Sequence, residues 1–176
     1  MSTPAAHRPL YTPEQKLRRD ASVWTLVQGL LAPLQFLVFL VSLVLVLRCL
    51  ATGAGESAAL TSVVVKTLAL YTIMVTGCIW EKVVFGQYLF APAFFWEDVF
   101  SMLVLALHSA YLYAWWTGAL PPVQQLWLAL SAYASYCINA TQFLLKLRAA
   151  RLQAAAVAST GSPAAAPGSA PAVAHP

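Results

Sequence analysis

The acids of this chain are few and stand where acids are costly. Glu81, Glu97 and Asp98 bracket a stretch from Trp80 to Asp98 in which seven of nineteen residues are aromatic. His108 follows Glu97 by eleven residues, about three helical turns, so Glu97, Ser101 and His108 share one helix face. No GxGxxG, P-loop, GxSxG, HExxH or CxxC pattern occurs, which leaves nucleotide, acyl-transfer and zinc chemistry without support. Carboxyl and imidazole groups run proton transfers, and addition or removal of water is the simplest reaction that needs nothing else. A loop built only for water would be less apolar. Aromatic side chains settle at membrane interfaces, so the stretch reads in one of two ways. It is an interfacial belt anchoring two helix ends, or a re-entrant lid that offers flat faces to a flat apolar ligand and brings three carboxylates to its rim.

The elements that must position these groups follow from composition. Of 176 residues, 60% are hydrophobic and only 9% charged, whereas a soluble domain carries about 25% charged residues. This excludes an ordinary cytosolic globule, and the high hydrophobicity excludes disorder over most of the chain. The net charge of +4 comes from too few and too scattered basic residues for a nucleic-acid groove. Crossing a hydrocarbon core takes about 20 apolar residues. Four stretches qualify: about Trp24 to Leu47, Leu60 to Ile79, Val99 to Trp116 and Leu126 to Leu145. The expected fold is therefore all-α, a polytopic membrane protein of four transmembrane helices with an aromatic interfacial loop between the second and third. The first span is too long and too far from the terminus for a cleaved signal peptide and reads as a retained anchor. With the N-terminus in the cytoplasm, Arg8, Lys16, Arg18, Arg19, Lys82, Lys146, Arg148 and Arg151 lie inside and only Arg48 outside, leaving Lys66 within a span. That bias places both termini in the cytoplasm.

Three segments result: a cytoplasmic N-terminal piece, 1–22; the membrane domain, 23–150; and an Ala/Pro-rich tail, 151–176, expected to be disordered. Thr12-Pro13-Glu14-Gln15 supplies a capping threonine, a proline at the first helical position and a glutamine at the third, which predicts a short basic helix leading into the first span. Cys49, Cys78 and Cys137 lack paired spacing and read as small buried residues without a disulfide. Gln28 and Gln35 in the first span, and Ser135, Asn139, Gln142 and Lys146 in the fourth, recur at helical spacing, and of these Gln28, Gln35, Asn139 and Gln142 should hydrogen-bond across helices. Lys66 either snorkels to the outer surface or, as a charge that rarely persists inside a span without use, has a functional part. His108 reads as a neutral hydrogen-bonded imidazole, or else as an axial ligand or proton carrier.

The segments Trp24–Gly29, Val64–Leu68, Trp80–Gly86 and Tyr88–Phe100 resemble the 3-vinyl (bacterio)chlorophyllide hydratase family of bacteriochlorophyll biosynthesis. The likeness runs from about Leu10 to Leu152, and the aromatic stretch with its acids is its most specific part. The resemblance implies a hydro-lyase that adds water to the C3 vinyl group of a chlorophyllide or bacteriochlorophyllide, giving a 1-hydroxyethyl group without a redox cofactor. It also implies a magnesium tetrapyrrole substrate, contact with other enzymes of the pigment pathway, and residence in the bacterial inner membrane, cytoplasmic or photosynthetic. Chemically, a proton added to the vinyl terminus leaves a cation that the macrocycle spreads and that water attacks. A carboxyl group among Phe94, Phe95 and Trp96 is desolvated and retains a proton more readily. Glu97 is the expected donor, with Asp98 or Glu81 receiving the proton from water. Adjacent helical residues diverge by about 100°, so Glu81 is the natural partner from the opposite helix. Lys82 would pair with the free propionate, and His108 could ligate the substrate's magnesium; Trp80, Phe95, Trp96 and Lys66 complete the expected substrate-binding set. A pigment-binding protein without turnover, or a small transporter subunit using Lys66, His108 and Asn139, are the competing readings.

Overall fold

The computed structural model describes residues 10–160; Arg8 and residues 161–176 of the expected tail lie outside it. Its elements are five helices: α1 (Pro13–Ala21), α2 (Val23–Thr52), α3 (Glu56–Phe85), α4 (Phe95–Thr117) and α5 (Pro122–Thr160). Helix α1 opens on the expected capping box: Thr12 N–H donates to Gln15 Oε1 at 2.9 Å, and Gln15 N–H to Thr12 Oγ1 at 3.3 Å. Ser22 closes α1 and caps α2, accepting from the Trp24 N–H at 3.2 Å.

Helices α2 and α3 pack along their lengths as one hairpin and α4 and α5 as another, and the two hairpins meet over smaller areas. The burial pattern is inverted relative to a soluble bundle. Leu30, Leu34, Leu37, Val41 and Val44 of α2 point outward, while Gln35, Ser42, Lys66, Thr67, Ser101, His108 and Asn139 are buried. Polar groups that cannot be satisfied by lipid turn to one another. Gln28 Nε2 donates to Thr76 Oγ1 at 2.7 Å, Asn139 Nδ2 to Ser101 Oγ at 2.8 Å, and Tyr111 Oη to the Leu60 carbonyl at 2.9 Å. The three cysteines are free.

Helices α2, α3 and α4 are each long and apolar enough to cross a membrane, and each contains one of the expected spans. The expected nineteen-residue aromatic connection is corrected to nine residues, 86–94, because both flanking helices run further. Trp80 to Phe85 contain no helix breaker, so α3 continues until Gly86, which takes φ 87° as its C-cap. Glu81 and Lys82 are thus on α3, and Phe95, Trp96, Glu97 and Asp98 on the first turn of α4. At the other end α5 runs to Thr160, past the point where the unstructured tail was expected to begin at residue 151. Alanine-rich sequence with no proline before Pro163 favours that continuation.

Candidate active site

The short connection brings the end of α3 against the start of α4, and the acids meet there. Glu81 and Asp98, from different helices, are both buried, with their carboxyl groups close enough to interact. The loop's backbone holds them. Phe90 N–H donates to Asp98 Oδ2 at 2.7 Å, and the Ala91 N–H faces Glu81. Phe90 adopts φ 60°, the left-handed region that a bulky residue avoids, and no other non-glycine residue among those described has a positive φ. Its amide bond to Asp98 helps to offset that strain. Glu81 Oε2 is buried with no ordinary donor facing it, so the acidic neighbour is the group that can satisfy it.

Glu97 turns the other way, as the helical angle between adjacent residues requires. Its Oε2 forms a short ion pair with Lys146 Nζ of α5, and the same ammonium donates to the carbonyl of Ala93 in the loop. Lys146 therefore ties α5, the first turn of α4 and the loop together. Phe94, 2% exposed, roofs the cluster. Its ring lies 5.8 Å from both Trp80 and Phe85 and 5.7 Å from Phe143, and Tyr11 stacks on Phe85 at 5.8 Å. Burial pushes the Tyr11 phenol above its ordinary pKa, against the pull of Arg19. Trp80 is steered from α2: its Nε1 donates to Thr25 Oγ1 at 3.0 Å. On the outer side Phe90, Phe95 and Trp96 form an exposed aromatic run with ring spacings of 5.7 and 5.5 Å. Exposed Lys82 donates to the Gly86 carbonyl at 2.8 Å and lies over Tyr88.

Two of the expected site residues lie elsewhere. Lys66 is 15 residues before Glu81 on α3, about 22 Å along the axis, and His108 is 10 residues after Asp98 on α4, about 15 Å. Lys66 does not snorkel: it is fully buried, its Nζ 4.1 Å from the centre of the Tyr136 ring. Three helices crowd that point, so the side chain has no outward course. His108 is buried beside Tyr133, with Nδ1 2.8 Å from the Val104 carbonyl, an internal helix bond that fits a neutral imidazole.

Sequence reasoning missed Tyr11 and Phe143 as walls and Lys146 as the partner of Glu97. The signals available were an aromatic residue just before a capping box and a lysine continuing the polar spacing of Asn139 and Gln142. Among the described residues no group of three His, Cys, Asp or Glu side chains is placed to hold a metal ion. A shallow groove of about 450 Å³, lined by Val64, Ser109, Tyr113 and Trp116, lies toward the far end of α4. Trp116 is 18 residues, about 27 Å, from Asp98, so this groove does not open onto the carboxyl groups.

A buried carboxyl pair between aromatic walls is equipped to give and take one proton in a water-poor setting. Sequence comparison agrees with the type of chemistry. The family model for 2-vinyl bacteriochlorophyllide hydratase matches residues 11–149. A 2-vinyl bacteriochlorophyllide hydratase of Cereibacter sphaeroides is 69% identical over 152 residues, covering 86% of this chain and 94% of that one. Its namesake from Rhodobacter capsulatus is 68% identical over 150 residues, covering 85% and 87%. No solved structure matches. The matched region takes in all the helices that carry the acids and nearly the full length of both relatives, and on that basis the chain belongs to the 2-vinyl bacteriochlorophyllide hydratase family.

Proposed function

We propose that the Glu81–Asp98 pair is the acid and base with which this chain, a hydratase of vinyl bacteriochlorophyllide, adds water to the vinyl group. The observation that carries this is the closeness of two buried carboxyl groups from different helices, one of them, Asp98, held by the loop amide of Phe90. Two carboxyl groups hydrogen-bond only when one carries a proton, so the pair stores the proton the reaction needs. In the forward direction it passes to the terminal vinyl carbon, forming a C–H bond. The cation left on the adjacent carbon is spread by the macrocycle, the oxygen of water bonds to it, and the excess proton returns to the pair. Atoms and charge balance, and the pair ends as it began.

Glu97 has a different part. The Lys146 ammonium is its partner, and this ion pair positions the start of α4. The exposed run Phe90, Phe95 and Trp96 offers the flat apolar face on which a tetrapyrrole lies, and Lys82 stands at its edge for the propionate. Trp80 backs the pair from inside. His108 is too far from Asp98 to reach the magnesium of a ring whose vinyl edge touches the pair, so neither it nor Lys66 belongs to this binding face. Family membership sets aside the readings without turnover. Membranes containing the chain, incubated with vinyl bacteriochlorophyllide, should form a product heavier by one water that takes its new oxygen from labelled solvent water; unchanged substrate would reject the assignment.

The same reading places the protein in the inner membrane with four spans. The fourth, Leu126 to Leu145 within α5, is twenty residues or about 30 Å long, enough for the hydrocarbon core. Trp127, Ile138, Leu144 and Leu145 point outward along it while Ala129, Tyr133 and Asn139 are buried. Lys82, Lys146 and the basic residues of α1 then share one end with the carboxyl pair, which makes that end cytoplasmic. Reporters fused at Gly55 and after Leu152 should report opposite sides; the same side for both would overturn the topology.

A further inference from the structure

The hydration consumes one water per turnover, yet both residues of the carboxyl pair are buried, and a tetrapyrrole on Phe90, Phe95 and Trp96 would cover its outer side. The interior offers another source. On α5, Tyr136, Asn139, Gln142 and Lys146 present one polar side chain at each of four successive turns, spaced by three to four residues or about 4.5–6 Å. Lys146 marks the active-site end through Glu97. One turn in lies Gln142, the next turn holds Asn139 bonded to Ser101 of α4, and the next holds Tyr136 beneath Lys66; His108 packs against Tyr133, one turn beyond.

Four buried polar atoms along this seam have no partner among the described residues: Gln142 Oε1, Asn139 Oδ1, His108 Nε2 and Lys66 Nζ. Lys66 and His108 are fully buried, and Asn139 is 9% exposed. Buried polar groups are almost always hydrogen-bonded, and where protein supplies no partner, water does. The spacing suits it, because one water bridging two polar atoms spans about 5–6 Å, two hydrogen bonds of ordinary length.

We infer that the seam from Lys66 and His108 through Asn139 and Gln142 to Glu97 holds bound water and brings the attacking water from inside the protein to the first turn of α4, where Asp98 adjoins Glu97. This rests on the assignment of Glu81 and Asp98 as the reacting pair. The delivered molecule forms the new C–O bond through its oxygen and leaves one proton on the pair, so no other reactant is consumed.

Synchrotron hydroxyl-radical footprinting of the full-length protein in nanodiscs, read by mass spectrometry, tests this, since bound internal water generates radicals beside buried side chains. His108, fully buried, should be labelled along with the half-buried Tyr136, whereas Tyr111, buried with its hydroxyl bonded to the Leu60 carbonyl, should be labelled weakly. Asn139→Leu and Gln142→Leu should each remove most of that labelling and lower kcat at least about tenfold, with tetrapyrrole Kd, read by tryptophan fluorescence quenching, held within about twofold. Asn139→Gln, which keeps the amide, should restore both signals in part. An unlabelled Tyr136 and His108 in the parent protein would overturn the inference, and so would seam variants that lose the labelling yet turn over normally. If Asn139→Leu fails to accumulate, the Gln142→Leu result decides, because Gln142 is only half-buried. Labelling in Glu81→Gln should match the parent, and kcat of that variant separates failure of the carboxyl assignment from failure of the seam.

Discussion

Glu81→Gln should lower turnover at least about a hundredfold while the protein still inserts and binds its tetrapyrrole, because general acid–base groups contribute about 10²–10⁴-fold. The amide keeps the size of the side chain and can still face Ala91 N–H and Asp98, but it cannot store or return the proton. Asp98→Asn should fall by a similar factor. It carries a second consequence, since the Asp98 oxygen that accepts from the strained Phe90 amide becomes a weaker acceptor. Glu97→Gln, in contrast, should lose less than about tenfold, because the ion pair with Lys146 gives it a structural part rather than a share in proton transfer. Rates are read by product mass under single-turnover conditions and binding by fluorescence quenching. A Glu81→Gln protein within about threefold of the parent would reject the pair, and a loss confined to Glu97→Gln would return the donor role to that residue.

Removing Lys146 should cost more stability than any other single polar substitution at this end of the bundle. Lys146→Met strips the buried Glu97 carboxylate of its counter-charge and the Ala93 carbonyl of its donor at one stroke. Breaking a buried ion pair from one side costs about 3–5 kcal/mol; with the Lys146 side chain 28% exposed, about 3 kcal/mol is the appropriate figure. For a domain of this size that corresponds to a drop of about 6–12 °C in Tm. The double variant Glu97→Gln with Lys146→Met removes the stranded charge and should recover half or more of the loss. Thermal melts in detergent check both values. A single variant that melts with the parent would show that the clamp contributes little, and a double variant worse than the single would show that the pair is not the interaction being broken.

Local features of the fold were legible in the sequence and distant pairings were not. Thr12 and Gln15 announce their capping box because the signal spans only four residues. The divergence of Glu97 from Asp98 follows from helix geometry alone, but that geometry does not say which of the two meets Glu81: the sequence favours Glu97 as its partner, whereas in the fold Asp98 lies beside Glu81 and Glu97 faces Lys146. The helix ends around the site were misread because aromatic density was taken for a loop, although Gly86 was the first residue suited to end α3. Lys66 was misjudged for another reason: snorkelling depends on which neighbours block the way, and Tyr136 lies seventy residues further along the chain. The Glu97–Lys146 pair is separated by forty-nine residues, and no periodicity within either helix singles it out. Tyr11 likewise joins the aromatic wall only because α1 folds back along α3.

The joint between the two hairpins sets a tolerance for this enzyme. Glu81 belongs to one hairpin and Asp98, Glu97 and Lys146 to the other, and the hairpins are pinned farther along by Tyr71 Oη with Ser109 Oγ at 2.8 Å and by Tyr111 with the Leu60 carbonyl. A rigid helix transmits a small rotation at such a pin to its far end, so a change that leaves every catalytic group in place can still pull two carboxyl groups out of mutual reach. With the carboxyl pair as the proposed acid and base, catalytic fitness in this chain is a matter of alignment between two halves, vulnerable at positions that look, by distance from the acids, like inert scaffold.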